Sequence, residues 1–508
     1  MSAPTSEAGL PPGTGKVVAA LVFGALTPLL DSTIVTVALH DLSTALGTGA
    51  STIQWVTTAY ILMMGAAVPV TGWAQARFGA RRVWIVSLLL FVAGSVLCAF
   101  APEVGTLIAA RVVQGAGAGM IMPLMQSMAL QFVGTDVPQA LMGKLIATIS
   151  LPMALGPILG PVIGGVILHW LDWRWIFLVN VPLIAVALVL ALLWIPAELT
   201  SGATGGTGAD GATGKATKPR LDVLGLVLLV PGLVGILLGL SQISSTGGVG
   251  HLSVILPLIA GLLLTTVFVV RALRSTSSSL VDLRLLRYRP LATASVLMTA
   301  NGALLYSAMF LLPLFFQQVR GTGVLAAAFL MVPQGVGALV SRALATRGAA
   351  RIGAANTAAI AFGITALATV PLALADASTS SWWLGVVLFI RGCGVGALMV
   401  APMMVAYRGL KPTEVPHATV ITRTLQQIGS SFGVAVTAVV MEWTAEHSGS
   451  DATDSVLTGF HVAFWCVAAL SLAALPVTRI LPDVRDSAVR AARGRSAQDE
   501  GLEVDDRG

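Results

Sequence analysis

The chain has 508 residues, of which 10% are charged and 56% hydrophobic, and a formal charge of +6. A soluble chain carries about a quarter charged residues, so a large water-exposed domain is excluded and a lipid bilayer is the natural solvent. The basic excess does not mark a nucleic-acid surface, because Lys and Arg are scattered among short polar breaks rather than clustered.

A spanning helix needs about 20 apolar residues. After a short tail over 1–16, such runs occur near 17–39, 53–73, 83–101, 106–128, 143–168 and 175–195. The first is too long for a signal-peptide core and is expected to stay as a span. A stretch rich in Gly, Thr and Ala over 196–220 has the composition of a flexible linker. Two further runs, 221–240 and 252–270, precede a basic segment at 271–290. Six more follow near 291–316, 324–344, 354–375, 382–404, 420–440 and 456–478. The expected plan is a six-helix bundle over 17–195, an inserted pair over 221–270, and a second six-helix bundle over 291–479. A disordered tail is expected over 480–508.

Loop charge gives an orientation, since Lys and Arg are retained on the cytoplasmic side. With the N-terminus inside, the inner segments hold Arg77, Arg81, Arg82, Arg271, Arg274, Arg284, Arg287, Arg289, Arg342, Arg347 and Arg351. The outer loops hold only Arg174 and Arg320, and the last of them carries Glu446, Asp451 and Asp454. Both termini are therefore expected in the cytoplasm.

The two blocks also echo each other. Arg77-Phe78-Gly79-Ala80-Arg81 in the first has an apparent counterpart in Arg347-Gly348-Ala349-Ala350-Arg351. The fourth run of each block carries an arginine, glycines and a proline, from Arg111 to Pro123 and from Arg391 to Pro402. Two halves in parallel order are the trace of a rocking transporter with a site between them.

Asp31 is the only acid well inside an expected span. A carboxylate in hydrocarbon is costly and marks a functional site by default. At 1.5 Å per residue it lies about 12 Å below the outer edge of its run, and Arg111 about 8 Å below that of the fourth. Asp31 either takes up a proton or attracts a cation, or it forms a static ion pair with Arg111 that pins two helices. Gln114 shares a helix face with Arg111 and serves either the cavity or an interhelical hydrogen bond. Arg391 has no obvious intramembrane acid, so water or backbone carbonyls are its expected partners. Gly156, Gly160 and Gly164, beside Pro157 and Pro161, form a stripe that admits a close helix neighbour, whether as ordinary packing or as a moving contact. Asn301, Tyr306, Gln317, Arg391 and Gln426 are the polar candidates for the cavity in the second block.

Other chemistry finds no footing. Cys98, Cys393 and Cys466 are far apart in apolar runs. The six histidines fall at helix ends or loops without metal-like spacing, so no enzyme and no cofactor is expected. Gly13-Thr14-Gly15-Lys16 fails as a phosphate-binding loop, because Leu10 stands at its first glycine position and Val17 follows the lysine. An ion gradient is the expected energy source.

Taken together, these residues resemble the major facilitator superfamily, and within it the fourteen-helix drug:proton antiporter branch, over about 24–476. Residues 30–39 are similar to its first-helix motif, with His40 where proline is usual. Residues 72–82 resemble its loop motif through Gly72, Arg77, Gly79 and Arg81, with Ala76 where aspartate is usual; Gln75 could help replace that contact. Residues 111–119 and 156–165 resemble its fourth- and fifth-helix motifs, and 172–182, 312–337 and 423–436 are similar to stretches typical of the branch. The resemblance implies an all-α membrane fold of two six-helix bundles plus two central helices. It also implies a monomer in the cell membrane that exports hydrophobic or amphipathic compounds in exchange for protons. Asp31 and Arg111 would act in coupling, and the helix of Gly156 to Gly164 in the exchange of conformations. A lipid or metabolite transporter of the same fold, and a non-transporting receptor or scaffold, remain the alternatives.

Overall fold

A computed structural model describes residues 11–481 apart from 49, 135–138, 150, 197–221, 247–249, 275–280, 412–413 and 448–451. The expected linker at 196–220, save its first residue, lies outside the described residues, as do Asp451, most of the first tail and nearly all of the last. The side chains of His40, Pro157 and Pro161 lie outside them too.

The apolar runs become helices. The first half holds α1 (Thr14–Val37), α2 (Leu39–Ala45), α3 (Ala50–Phe78), α4 (Ala80–Ala99), α5 (Val104–Val133), α6 (Gln139–Ile149), α7 (Leu151–Trp170), α8 (Arg174–Leu178) and α9 (Asn180–Trp194). A hairpin of α10 (Val223–Thr246) and α11 (Leu252–Arg274) follows. The second half holds α12 (Arg289–Leu314), α13 (Val324–Ile352), α14 (Ala354–Thr369), α15 (Ser381–Ala406), α16 (Val415–His447), α17 (Ala452–Ala473) and α18 (Leu475–Thr478). Among the described residues, twelve helices are long and apolar enough to cross a membrane, or thirteen if α13, bent by 41°, counts as one span. The expected fourteen is therefore not reached by this count. The run expected at 143–168 is described as α6 and α7, on either side of Ser150, which lies outside the described residues.

Lipid gives helices no hydrophobic reason to associate, so close approach of backbones and interhelical hydrogen bonds hold such bundles together. The glycines supply the approach. A methyl group at Gly115 would lie 2.6 Å from the Tyr60 carbonyl oxygen of α3, one at Gly117 2.6 Å from Phe91 N of α4, and one at Gly119 2.1 Å from the Met64 carbonyl oxygen of α3. Gly392, Gly394 and Gly396 of α15 repeat this against α13, α14 and α13, meeting Gln334, Thr365 and Ala338. Each half thus packs its second and third spans around one glycine-lined fourth span.

This correspondence corrects the register of the repeat. Gly79 (φ 86°, ψ 147°) and Gly353 (φ 89°, ψ 158°) both stand before the helix that follows the loop, in a conformation that favours glycine. Arg351, not Arg347, therefore answers Arg77. Likewise Arg391, just before Gly392, takes the place of Gln114, just before Gly115, and Leu388 takes that of Arg111.

The halves meet along α3 and α5 against α16, α7 against α13, and α6 against α13 and α15. α10 rests on both α3 and α16, and α11 packs on α10, where Asp222 and Arg271 form an ion pair at 2.8 Å.

Candidate transport site

Asp31 is fully buried inside the first half. Its Oδ2 accepts from Arg111 Nη1 at 2.5 Å, and its Oδ1 accepts from Gln114 Nε2 at 3.0 Å and Asn180 Nδ2 at 2.7 Å. Gln114 Oε1 accepts from Arg111 Nη1 at 2.6 Å, while Gln114 Nε2 and Asn180 Nδ2 also donate to Ser95 Oγ at 2.7 and 3.3 Å. Arg111 Nε donates to the Val56 carbonyl at 3.1 Å. Its guanidinium carbon stands 3.9 Å from the centroid of the Tyr60 ring, a cation–π placement, and the Tyr60 hydroxyl donates to the Pro28 carbonyl at 3.0 Å. The cluster therefore ties α1, α3, α4, α5 and α9 together. Charge-assisted bonds of this kind are the strong ones, and three donors leave the carboxylate well compensated.

The depth argument from sequence placed Asp31 and Arg111 level, and they touch. Asn180 and Ser95 were missed. Asn180 had a signal: it stands in the 172–182 stretch as a polar residue opening a run of fifteen helical residues. Cys98 was given no role, yet its Sγ lies 3.7 Å from Gln114 Oε1.

The counterpart in the second half is built without an acid. Arg391 is buried and donates from Nε to Thr369 Oγ1 at 3.2 Å, from Nη1 to Gln334 Oε1 at 3.1 Å, and from Nη2 to the Leu304 carbonyl at 3.1 Å. Gly433 lies against Ala303 as Gly160 lies against Thr33, so Asn301 falls at the position of Asp31. Asn301 is buried, and its Oδ1 has no hydrogen-bond partner among the described residues.

Between the halves lies a cleft of about 60 Å³. Leu29, Met64, Val68 and Met122 form its apolar wall on the first half, and Tyr306, Arg423, Gln426 and Ser430 form the polar wall on the second. Of the candidates read from sequence, Tyr306 and Gln426 line the cleft. Asn301, Gln317, Arg391 and Asp31 itself do not; Leu29, two residues before Asp31, does. Arg423 was missed, although it interrupts an apolar run. It is buried and crosses the halves, donating from Nε to Gln126 Oε1 at 2.8 Å and from Nη1 to Gln426 Oε1 at 2.7 Å.

The remaining motif residues sort by place. The glycines at 156, 160 and 164 pack inside the first half against Leu29, Thr33 and Ile34 of α1, flanking Asp31. Thr33 Oγ1 donates to the Gly156 carbonyl at 3.1 Å. Gly72 faces Val420 of α16 across the halves, Arg77 is exposed, and Arg81 Nη2 donates to the Leu192 carbonyl at 3.0 Å. Gln75 Nε2 donates to Gln131 Oε1 and its Oε1 accepts from Ser127 Oγ, both within its own half.

Two parallel half-bundles of membrane-crossing length, a buried ion pair in one and a cleft between them, define a multi-pass membrane transporter. The family model for the Major Facilitator Superfamily matches residues 21–434, and the chain belongs to that family. It is similar to a protein of Mycobacterium tuberculosis called multidrug resistance protein B homolog, 33% identical over 429 residues, which cover 84% of this chain and 75% of that one. It is also similar to the lincomycin resistance protein LmrB of Listeria monocytogenes, 26% identical over 84% of this chain and 86% of that one. Among solved structures it shares its fold with a human organic anion transporter (TM-score 0.61, 16% identity, 92% of this chain and all of that one). It shares it equally with a proton:xylose symporter (TM-score 0.60, 14% identity, 92% of this chain and 96% of that one).

Proposed function

We propose that this transporter exports hydrophobic or amphipathic organic compounds from the cytoplasm in exchange for protons, by alternating access, as a monomer with both termini in the cytoplasm. We count fourteen spans, taking α13 as one and α7, with its 20 residues, as another. The domain plan is then 17–195 and 291–479 as the moving halves, with 221–270 as an insertion on their seam.

The observation that carries the reading is the burial of Asp31 against Arg111, Gln114 and Asn180 in the helix whose next face lines the cleft. Protonation of Asp31 removes one charge of the ion pair. The resulting acid needs an acceptor, and Asn180 Oδ1, which has no partner among the described residues, supplies one once its amide turns. α1 then loses its ion pair with α5 and keeps only a neutral hydrogen bond to α9. Because Leu29 of α1 bears both on the cleft and on the glycine stripe of α7, loss of that anchor changes how the halves close. Proton and cargo therefore occupy separate places joined by α1, α3 and α5, which contribute to both. A drug-sized ligand needs about 300–1,000 Å³, so the cleft must widen before cargo enters. The names of the relatives, one for multidrug and one for lincomycin resistance, support a drug-like cargo.

In everted vesicles from a pump-deficient host, substrate addition should collapse an imposed pH gradient. Asp31→Asn should insert normally and abolish that response; proton-linked transport at the wild-type rate by this variant would remove Asp31 from the mechanism.

A further inference from the structure

We propose that the cleft selects amphipathic anions, with a carboxylate held by Arg423, Gln426 and Tyr306 and an apolar body laid against Met64 and Met122. The proposal rests on the transport reading above and names the class of its cargo.

Arg423 is the one charged side chain lining the cleft among the described residues. It is nine-tenths buried, with 9% of its surface exposed, so its charge is weakly screened. Gln426 Oε1 accepts from Arg423, which turns the amide so that its Nε2 is a buried donor without a partner among the described residues. The Tyr306 hydroxyl makes no hydrogen bond among them either. The polar wall is thus a set of donors around a cation, fitted to a planar two-oxygen acceptor. A guanidinium matches a carboxylate better than an ammonium does. The facing wall offers Leu29, Met64, Val68 and Met122, and the thioethers adapt to varied apolar shapes.

The surroundings favour the same sign. Among the described residues the buried charged side chains are Asp31, Arg111, Arg342, Arg391 and Arg423. Asp31 is paired with Arg111, while Arg342 and Arg391 have no acid partner among the described residues. Arg391 has only neutral acceptors, and Arg342 Nε and Nη1 have none among the described residues. A cation brought beside Arg423 is repelled, and an anion is attracted.

The test uses three probes of one shape: 1-naphthylacetate, 1-naphthylacetamide and 2-(1-naphthyl)ethylamine, as anion, neutral amide and cation. Binding to the purified full-length protein is measured by calorimetry, and flux in the vesicles above. A charge-assisted hydrogen bond is worth about ten- to a hundredfold in affinity, so the carboxylate should bind at least about tenfold more tightly than the other two. Arg423→Gln should erase that preference, and Arg423→Lys should keep part of it. Equal binding of all three, or preference for the amine, overturns the proposal whatever the variants do. Carboxylate preference without any gradient-linked flux leaves the anion site standing and overturns the transport reading instead.

Discussion

Asp31 is buried in a span-length helix because three polar side chains and a tyrosine face are folded around it and its arginine. Breaking a buried pair by removing one partner costs about 3–5 kcal/mol, since the other charge is stranded. Arg111→Ala should therefore lower the melting temperature and the yield of monodisperse protein. The double variant Asp31→Asn with Arg111→Gln should recover most of both while remaining uncoupled from protons. A double variant as unstable as the single one would show that the arginine packs rather than neutralises. The pairing was legible in the sequence because helical rise fixes depth, and two polar residues at one depth in an apolar bundle find each other. That Asn180 and Ser95 join the cluster was not, because which helix faces Asp31 depends on rotation about each axis, which spacing along one chain does not give.

At the scale of elements, the stripe on α7 is a contact surface with no spare room. A methyl group at Gly160 would lie 1.8 Å from Thr33 Oγ1, and overpacking of this kind costs about 1–3 kcal/mol. Gly160→Ala should cut the amount of folded protein and its transport rate, whereas Gly363→Ala, with nothing within 4 Å, should leave both unchanged. Normal transport by Gly160→Ala would mean that α1 and α7 separate readily. The helices themselves were plain from run length, although twelve or thirteen of them, not fourteen, are long and apolar enough to span among the described residues. The repeat register was misread because arginines spaced alike occur in both loops. Only backbone torsion distinguishes them: the turn needs a glycine at positive φ, and that is Gly353 rather than Gly348.

Over the whole molecule, the positive excess of the second half bears on energetics as well as selectivity. Export of a monoanion for one entering proton moves two charges in the same electrical sense, each worth about 2.3 kcal/mol per 100 mV. A lumen-positive potassium diffusion potential should therefore speed naphthylacetate uptake into everted vesicles even without a pH gradient. Indifference to that potential would contradict anion-for-proton exchange. The sequence displayed two halves and a seam, but not Arg423 bridging to Gln126, because a contact across the seam exists only once both halves have folded. Under the proposed exchange, the Asp31 chamber and the cleft share α1, α3 and α5 but no side chain, so their linings can diverge separately. Selection by a new toxin would then redraw the cleft wall, one methionine or donor at a time, while the Asp31 cluster proposed to take up the proton is inherited intact.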